Sequence, residues 1–256
     1  GMGFVALIFA LLIEQGRSLP ADNVVHRAAI GLADLVRGVS DAGERQQGVF
    51  GWIVVVAVAV GGVALLEWLA ALLHPLALFV VHVAILYLTV GFRQFSHAFT
   101  EIQIALASDD ADGARRVLER WLNQADPDDL SDRPRRETPV NEICRQAIAH
   151  ALVAAHRHVF GPLFWYILLP GATGPVLYRF AEMLARRWGG PVAEGASRVE
   201  EPYGHFATRA YRAIDWLPAR LSAAGFAIVG NFEDAVYCWR GAVSAGTTGD
   251  QRALLL

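Results

Sequence analysis

The sequence predicts an all-α, polytopic membrane protein with a transmembrane helical hairpin, a re-entrant or broken helical element and cytoplasmic helical loops. Three observations predict it. Hydrophobic residues make up 54% of the 256 before its 24 glycines are counted, whereas a soluble chain reaches only about 45–50% with glycine included. Charged residues are 18%, and they cluster between apolar runs. Residues 159–178 are uncharged throughout, between His156-Arg157-His158 and Arg179, about the length a bilayer needs.

Residues 1–48 hold an N-terminal apolar segment and an amphipathic helix. The apolar run 1–13 has neither a basic leader nor a small-residue cleavage pattern, which reads against a signal peptide. It is short for a span and predicts an embedded or interfacial helix. Asp22 or Asn23 would cap the next helix, whose Val25, Ala29, Leu32, Leu35 and Val36 recur at near-helical spacing. Residues 49–92 form the transmembrane hairpin, with His74-Pro75 at its turn and only Glu67 and His82 interrupting its apolar arms.

Residues 93–158 form a cytoplasmic helical loop. They carry nine arginines and residues 14–48 carry four, both on the side away from the His74-Pro75 turn, which the positive-inside rule makes cytoplasmic. Two helices, 95–106 and 111–122, flank Asp109, Asp110 and Asp112, which either cap the second helix or weakly suggest a magnesium site. Residues 124–139 read as a proline-bearing loop. A helix over 141–158 then carries His150, His156 and His158 on different faces, a scatter that suits phosphate or polar contacts better than a metal pair.

Residues 159–229 form the broken or re-entrant region. Pro162, Pro170 and Pro175, with Gly161, Gly171 and Gly174, interrupt the apolar run, and such breaks persist at membrane depth only inside protein or beside a cavity. A bend at Pro170-Gly171 would return the chain to the side it came from. Arg179, Glu182, Arg186 and Arg187 are spaced for ion pairs along one helix. A loop is predicted over 189–205. Over 209–229, Pro218 is expected to kink the helix or start another, with Asp215 and Arg220 facing each other, water or a ligand. Residues 230–256 are a tail, and the closing leucines 254–256 read as the start of a continuation.

Composition also excludes chemistry. All 22 basic residues are arginine, which removes a lysine phosphate loop, a Schiff base and a lysine nucleophile. A net charge of −3 gives no footprint for nucleic acid. Two cysteines, Cys144 and Cys238, build neither a disulfide framework nor a cysteine-rich zinc site.

GPLFWYILLPGATGPVLYR, DWLPARLSAAGFAIVG and GFRQFSHAFTEIQIAL with the following DD and ARRVL together resemble the CobD/CbiB (adenosylcobinamide-phosphate synthase) family and its AmpE relatives. The resemblance covers about residues 49–240. It implies a polytopic plasma-membrane protein and, in the cobalamin branch, ATP-dependent amide formation between adenosylcobyric acid and aminopropanol phosphate, with Mg2+ as the nucleotide's partner.

The resemblance also carries Glu101 onto the family's helical glutamate. Glu101 and Asp215 are the candidate catalytic acids, and each has a plainer reading as a paired helix carboxylate. Arg93, Arg157, His158, Glu182, Arg186 and Arg220 are the candidate ligand-binding residues, and Asp109 and Asp110 the metal candidates. The ligand would be an anionic small molecule or a corrinoid, the partner a lipid bilayer and the assembly a possible homo-oligomer.

Three motifs of the synthases are altered. LIEQGRSLPADNVVHR stands in place of their N-terminal Gly-Asp-Pro and His-Pro-Val pattern, QAIAHALVAAHRH in place of an acidic helix, and Arg212 in place of an acid before LPAR. The competing expectation is therefore a non-catalytic AmpE-like sensor. A transporter is suggested by the broken element alone.

Overall fold

The computed structural model describes residues 2–16, 24–40, 45–90, 92–125, 134, 138–189 and 203–229. Among these the fold is all-α, without strands. The helices are α1 (Met2–Gly16), α2 (Val24–Ser40), α3 (Arg45–Leu73), α4 (Pro75–Thr89), α5 (Phe92–Ala107), α6 (Ala111–Ala125), α7 (Val140–Ala155), α8 (Gly161–Leu168), α9 (Thr173–Trp188) and α10 (His205–Val229). Two compact units emerge. The first comprises Gly1–Arg93, His158–Gly190 and Glu200–Asp215, and the second Gln94–Arg157, Pro191–Val199 and Trp216–Leu256. The proposed cap residues Asp22 and Asn23, most of the 124–139 loop and the 230–256 tail lie outside the described residues.

In the first unit, α3 and α4 meet at the expected turn. His74 is the N-cap of α4, its Nδ1 accepting the Leu76 amide at 3.1 Å, and Pro75 occupies the first helical position, where its missing N–H costs nothing. Among the described residues, only α3 is long and apolar enough to cross a membrane, over Gln46–Leu73. Just 17% of its most apolar window is buried, which separates it from the core helix of a soluble protein. The 15 residues of α4 rise about 22 Å, less than a hydrocarbon core of about 30 Å. Two full crossings are therefore not evident in the helix lengths.

Around the hairpin, α1 packs on α4, α2 on α3, and α9 on both α3 and α4. Ala6 and Ala10 of α1, one turn apart, are buried with Val83 and Leu86 of α4. Small side chains at that spacing let the two backbones approach. The core between α2, α3 and α9 contains Ala33, Val55, Val56, Met183, Leu184 and Trp188, closed by Tyr203 and Ala207. Tyr203 enters a gap in α3: a Cβ at Gly48 would lie 2.0 Å from its carbonyl oxygen, and one at Gly51 would lie 2.2 Å from its hydroxyl.

The second unit has an apolar core of its own. α6 packs on α7, and Ile102, Leu118, Trp121, Ile143 and Ala147 are buried together, each large aliphatic contributing about 1.5–3 kcal/mol of burial. Asp109 closes α5 with a left-handed φ of 58°. Asp110 caps α6, its Oδ1 accepting the Gly113 amide at 2.7 Å. α7 carries Leu152 and Val153 against Ala223 and Phe226 of α10.

The opening between α7 and α8 differs from the expected plain helix. Residues His156–Phe160 form a π-helical turn. Pro162 explains it, because proline has no N–H to donate and its ring crowds the carbonyl four residues back, so the chain widens by one residue there. After α8, Leu169 is extended, as the residue before Pro170 favours. Gly171 takes φ 71°, the left-handed conformation that glycine adopts without a steric cost, and α9 begins. The break stands where the sequence placed it. α10 starts at His205 and runs through Pro218 as one helix to Val229, so Pro218 starts no second helix.

Candidate functional site

The block that carries the sequence resemblance folds into α8, the break and α9. Because Arg179, Glu182 and Arg186 are three and four positions apart, they fall on one face of α9. Glu182 is buried at 3% exposure. Its Oε1 lies 2.7 Å from Arg186 Nε, and its Oε2 lies 3.6 Å from Arg179 Nη1. A carboxylate removed from water needs such partners. Two guanidiniums thus converge on one buried carboxylate, and both arginines stay partly exposed.

His158 joins this cluster, its Nδ1 lying 3.1 Å from Arg179 Nη1. A guanidinium has donors and no acceptor, so the imidazole accepts at Nδ1 and its remaining proton sits on Nε2. The arrangement is suited to a phosphate or carboxylate, which arginine grips through paired N–H donors.

A second polar group lies between α9 and the first half of α10. Tyr178 is fully buried, and its hydroxyl donates to Asp215 Oδ1 at 2.7 Å. The Tyr211 hydroxyl lies 3.1 Å from that of Tyr178. Since the single proton of Tyr178 goes to the carboxylate, Tyr211 is the donor between the two hydroxyls. Gly161 makes this packing possible, because a Cβ there would lie 2.2 Å from the Tyr178 ring.

Of the sequence-derived candidates, His158, Glu182 and Arg186 come together, and Asp215 lies in the same compact unit. Glu101, Arg157 and Arg220 belong to the other unit. Glu101 pairs with His97 at 3.1 Å instead of with an arginine. Arg220 lies 4.0 Å from the Trp216 ring centre and donates to the Trp216 carbonyl at 3.0 Å. Asp109 and Asp110 form the α5–α6 turn, and the side chain of Arg93 lies outside the described residues. No cluster of three or more His, Cys, Asp or Glu side chains able to hold a metal is found among the described residues.

Sequence reasoning missed three partners. Arg187, read as part of the ion-pair ladder, instead makes a bidentate pair with Asp34 of α2 at 2.5 and 2.6 Å. Tyr178 and Tyr211 gave no signal beyond being tyrosines. Glu67 and His82 registered only as interruptions of apolar helices, yet Glu67 Oε1 lies 2.9 Å from His82 Nε2 and accepts the Ala172 amide at 2.7 Å.

Comparison with known sequences bears on this block. The family described as CobD/Cbib protein matches residues 4–248. A cobalamin biosynthesis protein CobD of Stutzerimonas stutzeri is 30% identical over 245 residues, covering 93% of this chain and 73% of the relative. One of the same description from Chromobacterium violaceum is 33% identical over 188 residues, covering 72% of this chain and 54% of the relative. The chain thus spans about half the length of the second relative and about three quarters of the first. No solved structure matches it.

Proposed function

The chain belongs to the CobD/CbiB family, and on that premise we propose that it serves cobalamin biosynthesis at the plasma membrane as an amide-forming synthase. The proposed reaction joins a carboxylate of adenosylcobyric acid to the amine of aminopropanol phosphate. The carboxylate takes a phosphoryl group from ATP, the amine lone pair attacks the acyl carbon, phosphate leaves with the C–O bonding pair, and the amine loses its proton. The single observation that carries this reading is the α9 face, where Arg179, which closes the PLFW-to-LYR block, and Arg186 flank a buried Glu182. Its partly exposed guanidinium donors are matched to the phosphate of the amine substrate or of the nucleotide, and holding that phosphate would orient the amine. Asp215, with Tyr178 donating to it, is the candidate to accept the amine's proton. ATP with Mg2+ belongs to the same proposal.

The proposed location is the inner membrane, multi-pass, with the large loops cytoplasmic. Support comes from the outward apolar side chains of α1, α3 and α4, among them Phe4, Phe9, Phe50, Ile53, Leu72 and Val80. Complementation of a strain lacking the synthase tests the reaction. Growth restored by the chain and abolished by Arg186→Ala, with the protein still made and membrane-bound, is the expected result. Failure to complement, together with no binding of Mg-ATP or a corrinoid by protein in detergent, would sink it.

A second reading is favoured by one observation: QAIAHALVAAHRH occupies the place of the family's acidic helix. On that reading the same cationic face binds an anion without turning it over, as in a non-catalytic AmpE-like sensor. An unchanged cell-wall and antibiotic response after deletion would count against it.

A further inference from the structure

Glu67 is the sole charged residue between Gln46 and Leu73 of α3, and an ionisable group inside an apolar helix is costly unless partnered. The structure gives it partners from two other elements. His82 of α4 lies 2.9 Å from Oε1, and the Ala172 amide, immediately before α9, donates to the same oxygen at 2.7 Å. Oε2 faces Gly171, where a Cβ would stand only 2.3 Å away. Both side chains are nearly buried, at 12% and 14% exposure. On the far side of His82 the Tyr166 ring of α8 stands edge to face, and its hydroxyl donates to the Gly3 carbonyl of α1 at 3.0 Å.

The start of α9 has no side-chain cap of its own. The amide of its N-cap Ala172 and the positive end of its dipole are therefore met by a carboxylate more than a hundred residues earlier in the chain. Since Tyr178, Arg179, Glu182 and Arg186 all follow from that start along one rigid helix, the contact fixes where they stand on the hairpin.

We propose that Glu67, oriented by His82, is a positioning residue for the arginine face of α9, acting through the start of that helix. Its link to ligand binding rests on the function proposed above; the brace itself does not. The test uses the full chain in detergent, reading amide hydrogen exchange over residues 170–174 and, separately, the affinity for aminopropanol phosphate. In Glu67→Ala, exchange at these amides will rise about tenfold or more, as loss of a hydrogen bond to a charged group implies, and affinity for the probe will fall with it. Glu67→Gln keeps a carbonyl at the same reach and will restore both.

Unchanged protection at Ala172 in Glu67→Ala would overturn the brace. Local acceleration with unchanged affinity would overturn the positioning role. If exchange in Glu67→Ala rises across α6 and α7 as well, His82→Phe decides, because it keeps the carboxylate and the ring contact. Acceleration confined to 170–174 then supports the brace, and none refutes it. A wild-type protein that binds no aminopropanol phosphate would defeat the proposed function, while the exchange measurement would still judge the brace.

Discussion

Single residues show how far spacing along a chain can be read. The pairing of Glu182 with Arg179 and Arg186 follows from helical periodicity and was legible. The pairing of Arg187 with Asp34 joins residues 153 apart, and no local pattern announces it. The Arg187 guanidinium, chiefly through its hydrogen bonds, holds the Asp34 carboxyl below its ordinary value of 3.8. A carboxyl depressed in the folded state contributes stability above its unfolded value of about 3.9, and that contribution is lost as pH falls through the lower folded value. Both side chains are nearly half exposed, at 49% and 41%, so solvent screening keeps the effect under about 1 kcal/mol. Asp34→Asn will therefore melt slightly below wild type at neutral pH, and the difference will close in acid below the folded value; a gap that persists there would contradict the ion-pair account. Tyr178→Phe removes the donor to a carboxylate that is only 4% exposed and will destabilise by about 1–3 kcal/mol, measurable by thermal melting in detergent.

Helices were legible where proline and glycine punctuate them, because those residues act on the backbone whatever surrounds them. The hairpin turn at His74-Pro75 and the break at Pro170-Gly171 stand where the sequence put them. The π-helical turn at His156–Phe160 was not legible, since a proline can be met by a kink, an end or a widened turn, and tertiary packing chooses. Pro218 shows the same ambiguity resolved the other way, inside a continuous α10. Glycines divide similarly. A Cβ at Gly204 would stand 1.7 Å from the Trp188 carbonyl oxygen, and backbone cannot step aside as a flexible side chain can. Gly204→Ala will cost about 1–3 kcal/mol by overpacking. At Gly61 and Gly62 of α3 an added Cβ meets nothing within 4 Å, so alanine there will leave melting unchanged or raise stability by up to about 1 kcal/mol. Equal losses at all three sites would show that close approach is not what selects glycine at position 204.

At the scale of the molecule, hydrophobicity pointed to a membrane protein but could not count crossings, because a short apolar helix satisfies the same composition as a spanning one. α3 has the length; α4, with 15 residues, rises about 22 Å. Arginine distribution supplies the independent constraint. The turn at His74 has none nearby, and residues 93–157 carry nine, so the proposed topology, following the positive-inside rule, has the chain cross between these two stretches of sequence. For that to hold, α4 must return the chain across the bilayer despite its length, by local thinning or with help from neighbouring residues. Single cysteines decide it, in a chain whose Cys144 and Cys238 are changed to serine. With a membrane-impermeant maleimide on intact cells, His74→Cys will react, and Thr138→Cys will react only after permeabilisation. Labelling of both in intact cells would mean that α4 turns back within the membrane and that the arginine-rich loop lies outside, which would remove the proposed reaction from its cytoplasmic supply of ATP.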